Sequence, residues 1–157
     1  MLKQQTSQKG FTIVELLIVI VVIGILAALV LNTFSGVQAR ARDSQRQTDT
    51  NSLATQLEVF YNDNGGYPQL SQISTLSGAK SILKGIDEQS LIAPQDSPAA
   101  DGTSLQGTAS TDLKKYGYVA LKNGTACASN SDCTSFSITY QKESGDKAQV
   151  TKKSLNQ

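Results

Sequence analysis

Glu15 is the residue whose type and position ask most plainly for a chemical explanation, because it is the only ionisable side chain between Phe11 and Leu31 in a run that is otherwise apolar apart from Thr12 and Gly24. An acid costs up to about 3 kcal/mol at the centre of a membrane helix and less near the interface, so it needs a partner, a proton or a reach to water. Cys127 and Cys133 form a second candidate pair. They close on a short stretch of Ala, Ser, Asn and Asp, with no further Cys and no His nearby to complete a zinc site. Outside the cytoplasm such a pair reads as a disulfide worth about 2 kcal/mol by loop entropy; otherwise it is two free thiols. The chain contains no His. That removes the commonest general base and the commonest neutral metal ligand, and no base, nucleophile and oxyanion grouping can be assembled from the Asp and Ser present. The sequence therefore predicts no catalytic, cofactor-binding or metal site. Asp132 with Asn130 offers too few oxygens for calcium, and Asn123-Gly124-Thr125 matches a glycosylation sequon that is common by chance.

The element that must position Glu15 is the run FTIVELLIVIVVIGILAALVL, residues 11 to 31, which as a helix would span about 32 Å and cross a bilayer. Ten residues precede it, with Lys3 and Lys9 as their only charges, which keeps that end cytoplasmic and puts everything after Leu31 outside. Three readings compete: a removed secretory signal, a permanent anchor, and a short leader cut before the apolar run. A secretory h-region is shorter, and Asn32-Thr33-Phe34-Ser35-Gly36 is a weak cleavage site. A plain anchor explains the length but gives no reason for Glu15.

Lys9-Gly10-Phe11-Thr12-Ile13-Val14-Glu15-Leu16 resembles the processing site and helix start of type IV prepilins and pseudopilins. The resemblance implies cleavage by a prepilin peptidase after Gly10, N-methylation of the new terminus at Phe11, and a role for Glu15 in assembly. Each role has a physical reason. A glycine lets an extended backbone enter a narrow cleft. Cleavage frees a positive amine at Phe11, and a buried Glu15 carboxylate could neutralise that amine in its own or a neighbouring chain, making the acid a registry device. The stretch from Ala41-Arg42-Asp43 through Leu53, Leu57 and Tyr61 to Gly65-Gly66-Tyr67-Pro68 is similar to the stem end and first loop of the same family, so the resemblance covers roughly residues 9 to 68. One departure is Asn32, which stands where many members have a proline; Gly24 and Gly36 remain as weak points of the helix.

Beyond the membrane run, apolar positions continue at helical spacing through Leu53, Ala54, Leu57 and Phe60 with no proline before Pro68, predicting one stem helix from Phe11 to about Asp63, ended by Asn-Gly chemistry. Arg40 to Asp49 mixes both signs and reads as an exposed neck whose arginines form a solvated face. After Pro68, Ser81 to Ile92 is expected to hold a short helix and Ala93 to Asp112 an exposed loop. Tyr116 to Leu121 and Phe136 to Gln141 read as strands, and Ala148 with Val150 as a third. They predict an antiparallel meander in which Phe136, Ile138 and Tyr140 face Leu53, Leu57 and Phe60, with the cysteine loop at the periphery. The fold class is α+β, pilin-like, with residues 1–10 as leader, 11–31 as membrane and filament-core helix, 32–63 as exposed helix and 64–157 as globular head.

Lys and Arg number 14 against 13 Asp and Glu, so net charge points to no nucleic-acid or membrane-surface binder. The expected function is a structural subunit of an extracellular type IV pilus for adhesion or motility. The alternatives are a pseudopilin of a type II secretion or DNA-uptake machine, and a single-pass anchored binding domain that never polymerises. The partners implied are further copies of the chain through Phe11 to Leu31, a prepilin peptidase, a pilus assembly platform, the membrane before assembly, and nucleic acid only for a DNA-uptake pilin. The expected location is the cell membrane for the precursor and an extracellular pilus for the mature form.

Overall fold

The computed structural model describes residues 10–127, 129 and 132–156, with the backbone alone at Asn32. Residues 1–9 of the expected leader, with Lys3 and Lys9, lie outside the described residues, as does Asn130. Helix α1 runs from Ile13 to Asn64. The chain separates into two units, one up to Gln38 and one from Ala39 onward.

In the first unit α1 is apolar on every side, and its large side chains from Ile13 to Val37 are between 47% (Val19) and 84% (Ile13) exposed. The residues from 13 on form the one helix, among those described, that is long and apolar enough to cross a membrane.

In the second unit α1 contributes a stripe to a core. Arg46, Thr50, Leu53 and Leu57 are all buried, and their spacing of four, three and four keeps them on one face. The helix ends where Gly65, with φ of +73°, donates its N–H to Tyr61 O at 2.7 Å. A left-handed residue there is cheap only for glycine or asparagine. Two short helices follow, α2 (Leu70–Ile73) and α3 (Leu76–Ile82), then a 3₁₀ turn at Glu88–Leu91. Thr75 caps α3 by accepting from Gly78 N at 3.1 Å.

The sheet is mixed. Strands β2 (Tyr116–Lys122), β4 (Ser135–Gln141) and β5 (Gln149–Lys153) form the expected antiparallel meander, with Tyr118 opposite Ile138 and Tyr140 opposite Val150. Two short strands enlarge it: β1 (Leu105–Gln106) lies parallel to β2, and β3 (Thr125–Ala126) pairs antiparallel with the end of β2. Phe136, Ile138 and Tyr140 are buried in one core with Leu53 and Leu57, while Phe60 is half-buried against it. Tyr116 and Tyr118 share that core, and the Tyr118 hydroxyl donates to Pro68 O at 2.6 Å. Glycine is required at position 117, because a Cβ there would sit 2.2 Å from Thr139 Oγ1 and 2.3 Å from Thr108 O.

Four expectations need correction. Arg40 to Asp49 is not an exposed neck, since Asp43, Arg46 and Asp49 are buried, against Ser144, Leu113 and Tyr116 respectively. Arg46, 1% exposed, donates to Asp43 Oδ1 at 2.9 Å and through two nitrogens to Leu113 O at 3.1 and 2.9 Å. Asp43 in turn accepts from the backbone N–H groups of Glu143 and Ser144, each at 2.8 Å, and from the Ser144 hydroxyl at 2.6 Å. Arg42 grips Glu143 with two bonds of 2.7 and 2.6 Å. One face of a mixed-sign sequence can thus be buried where Arg42, Asp43 and Arg46 meet complementary groups. Burial works to raise the Asp43 carboxyl, but the Ser144 and Glu143 hydrogen bonds and the Arg46 charge outweigh it and hold it below the usual range. The Arg42 hydrogen bonds lower Glu143 likewise.

Ala93 to Asp112 is not an exposed structureless loop. Ser104 is fully buried, accepts from Ala93 N at 2.8 Å and donates to Asp96 Oδ2 at 2.6 Å, and Lys115 also reaches Asp96 at 2.8 Å. Side-chain hydroxyls and one carboxylate do there what ladders do elsewhere. The helix expected over Ser81 to Ile92 is displaced, lying at Leu76–Ile82 with the 3₁₀ turn after it. The cysteines are disulfide-bonded, and Cys133 is in the core rather than at the periphery, with its carbonyl accepting from Tyr67 N at 2.9 Å.

Candidate assembly site

Gly10 and Phe11 are exposed and outside any helix or strand, and α1 begins two residues later. Thr12 precedes the helix and Glu15 follows it by three, the spacing of a capping box. The geometry matches. Glu15 N donates to Thr12 Oγ1 at 3.2 Å, while Glu15 Oε2 accepts from Thr12 N at 2.9 Å and from the Thr12 hydroxyl at 2.7 Å. The carboxylate therefore satisfies one of the N-terminal donors that no helical carbonyl can reach, and it lies in the first turn, where the helix dipole favours a negative charge.

Of the predicted site residues, the structure brings Glu15 to Thr12 and leaves Gly10 and Phe11 open to solvent on the preceding stretch. Sequence reasoning missed Thr12. The signal was present, since Thr-x-x-Glu ahead of an apolar run is itself a helix-start pattern. Glu15 thus has a local structural duty in the uncut chain besides any role in assembly.

Beyond that turn, the large side chains that α1 exposes up to Val37 are hydrocarbon. A Cβ at Gly24 or at Gly36 would meet nothing within 4 Å, so both leave notches open to an approaching helix. Thr33 turns its hydroxyl back onto Leu29 O at 3.0 Å and Val30 O at 3.1 Å, hiding its polarity from the apolar face.

Elsewhere, the sequon residue Asn123 sits exposed in the turn between β2 and β3, with φ of +50°. Asp132 pairs with Lys122 at 3.0 Å, and among the described residues no group of three or more His, Cys, Asp or Glu lies together.

Residues 5–31 match the family model described as the prokaryotic N-terminal methylation motif. The chain is 37% identical over 68 residues to a type II secretion system core protein G of Dickeya chrysanthemi, covering 43% of this chain and 44% of that one. It is 33% identical over 81 residues to the core protein G of Pseudomonas aeruginosa, covering 52% and 54%. It is also 34% identical over 80 residues to a type IV major pilin protein of Neisseria gonorrhoeae, covering 51% and 48%. The chain spans about half the length of these curated relatives, and no solved structure matches it. The methylation motif at the start of an uncovered apolar helix, the small sheet against which that helix packs further on, and relatives among both pilins and secretion-system core proteins make the chain similar to the type IV pilins and pseudopilins.

Proposed function

We propose that the chain is a structural subunit of an extracellular type IV pilus, inserted in the membrane as a precursor, cleaved after Gly10 and polymerised through Phe11 to Leu31. The observation that carries this reading is the apolar helix of residues 13 to 37, which nothing in its own chain covers. A contiguous hydrocarbon surface of that size is not left in water. Lipid covers it before assembly, and neighbouring copies of the same helix cover it afterwards. The family is one of structural subunits, and the chain is read as a subunit rather than an enzyme.

Chemistry enters at one turn. A prepilin peptidase acting between Gly10 and Phe11 converts an amide nitrogen into an amine, which is then methylated and remains positive. Glu15, held by Thr12 in the uncut chain, gains in that amine a cation within the same turn or in a neighbouring chain. A carboxylate carried from lipid into a helix bundle is stable when it meets such a charge, so docking on the assembly platform is favoured in one register. The precursor spans the membrane once with its amino terminus in the cytoplasm, and the unit from Ala39 onward faces outside, where the Cys127–Cys133 disulfide persists.

Mass spectrometry of sheared surface filaments tests the reading. The expected subunit starts at methylated Phe11, and Gly10→Val leaves a longer precursor in the membrane. Filaments with an unprocessed terminus, or none from a chain expressed and exported normally, would overturn it.

A second reading is a pseudopilin of a secretion or DNA-uptake machine, favoured by the likeness to secretion-system core proteins. Deletion of the chain separates the two. Loss of protein export or of DNA uptake without loss of surface filaments selects the pseudopilin.

A further inference from the structure

The two cysteines of the disulfide stand in unlike surroundings. Cys133 is fully buried, in the core that also holds Tyr67 and Phe136. Its backbone is fixed there: its carbonyl accepts from Tyr67 N at 2.9 Å, and the next residue, Thr134, donates its N–H to Leu121 O at 3.0 Å. Cys127 is half-buried and follows directly on β3, whose residues Thr125 and Ala126 are both exposed. Its own N–H donates to Ala120 O at 3.2 Å, which continues the β2–β3 ladder by one residue. An open groove of about 250 Å³ lies beside it, between the start of α2 and β2, and Cys127 stands in its wall with Leu70, Ser71, Ala120 and Ala126.

Thiol–disulfide exchange is an in-line displacement, in which the incoming, attacked and leaving sulfurs share a line, so access to each sulfur decides which one is attacked. Attack on Cys133 would bring the incoming sulfur through the core. Attack on Cys127 brings it from the side away from Cys133, where the groove and the exposed β3 lie.

We infer that Cys127 is the sulfur through which this disulfide is made and exchanged with an external disulfide or its thiol, and that Cys133 reacts with Cys127 alone. In closure, the Cys127 thiol gives its proton to solvent and its sulfur attacks the external disulfide. One external thiolate leaves and is protonated, and a mixed disulfide remains on Cys127. Cys133 then gives up its proton and attacks Cys127 Sγ; the bond to the external sulfur breaks, and that sulfur departs outward as the second thiol. Two cysteine thiols are thereby oxidised to one disulfide, and the external disulfide is reduced to two thiols. Opening by an external thiol runs the same steps backwards. The inference rests on where the two cysteines lie and not on polymerisation.

The test uses the full-length chain in detergent micelles, with glutathione as the probe. The native oxidised chain is treated with reduced glutathione, quenched in acid and mapped by peptide mass spectrometry. The adduct is expected on Cys127, with Cys133 as the free thiol. Cys133→Ala and Cys127→Ala each leave one thiol, and oxidised glutathione is expected to modify the first variant severalfold faster than the second, with the difference vanishing in denaturant. Adducts on Cys133 of the native parent, equal rates from two variants whose heads still unfold cooperatively, or adducts that form on the parent only in denaturant would each overturn the inference. Mapping on the parent involves no substitution, so it decides the matter even where a variant fails to fold.

Discussion

The unit up to Gln38 and the unit from Ala39 treat polar groups in opposite ways. The first has one acid, Glu15, exposed in its own chain and held by a single threonine, amid hydrocarbon that nothing covers. The second buries Asp43, Arg46 and Asp49 beneath its sheet, and no buried side-chain nitrogen or oxygen among its described residues lacks a hydrogen-bond partner. The difference shows where each unit finds its complement. The head partners its buried polar side chains from within. The stem does not, and on the proposed function its cover comes from lipid or from other copies.

The largest effect is expected where that complement comes from outside. Glu15→Ala should leave insertion and cleavage intact, since the residues flanking the cut are unchanged, but processed subunits should accumulate in the membrane with few or no filaments. The thermal unfolding of the head should not move. Glu15→Gln keeps the shape and the capping geometry, so its failure as well would assign the effect to charge. Filaments of normal number and length from Glu15→Ala, expressed as the sole copy, would break the comparison.

The converse experiment lies in the head. Arg46→Ala leaves the Asp43 carboxylate and the Leu113 carbonyl without their buried donor, and loss of one partner of a buried pair costs about 3 to 5 kcal/mol. Denaturant unfolding should record that loss. The double variant Asp43→Asn with Arg46→Met, which removes both charges and keeps volume, should recover part of it. If the double variant is no better than the single one, the pair is not the source of the stability.

Much of this was legible from residue types. The Lys-Gly-Phe and Glu15 spacing, the long stem with its Asn-Gly stop, and the alternation of Phe136, Ile138 and Tyr140 all follow from local patterns that do not depend on the rest of the chain. The arginine clamp did not, because Arg42, Asp43 and Arg46 look like a solvated face until Glu143 and Ser144, about a hundred positions away, are brought to them. The loop at Ala93 to Asp112 failed for a similar reason: Ser104 and Asp96 replace backbone ladders with side-chain bonds, and these have no period to detect. Thr12 was legible and overlooked, since the motif drew attention to the cut and to Glu15 but not to the residue between them.

A smaller effect is expected at the disulfide. Replacing both Cys127 and Cys133 by Ser should lower head stability by about 2 kcal/mol, the entropy of a short closed loop. The loss should be greater if the Cys133 position, buried in the core, tolerates a hydroxyl poorly. Alkylation of the native chain should find no free thiol before reduction, and quantitative labelling without reductant would count against the outside placement of the head.

The smallest effect, and the one opposite in sign, is expected at Asp49. Its Oδ2 accepts from the buried Tyr116 hydroxyl at 2.7 Å, and burial together with the nearby Asp87 charge raises its carboxyl to about 6 against 3.8 for an ordinary aspartate, although Tyr116 and Arg46 pull it down. A carboxyl raised in the native state is protonated there while the unfolded chain is already ionised. Its contribution is therefore most favourable below about pH 4, falls as pH rises to about 6, and is constant above that. The shift of about 2 units corresponds to roughly 3 kcal/mol at 1.36 kcal/mol per unit. Asp43 and Glu143, both lowered, act in the other direction as pH falls. The difference between parent and Asp49→Asn isolates the one group. The amide keeps an acceptor for Tyr116 and cannot ionise, so the variant should be more stable than the parent at pH 7. The gain should be about 1 kcal/mol rather than the full amount, because the new amide N–H groups lack a partner in that site. Between pH 4 and 6 its unfolding free energy should fall less steeply than the parent's. An Asp49→Asn head that is less stable at pH 7, with the slope unchanged, would show that the carboxylate is ionised and held by Arg46 instead, which would make position 49 an extension of the clamp.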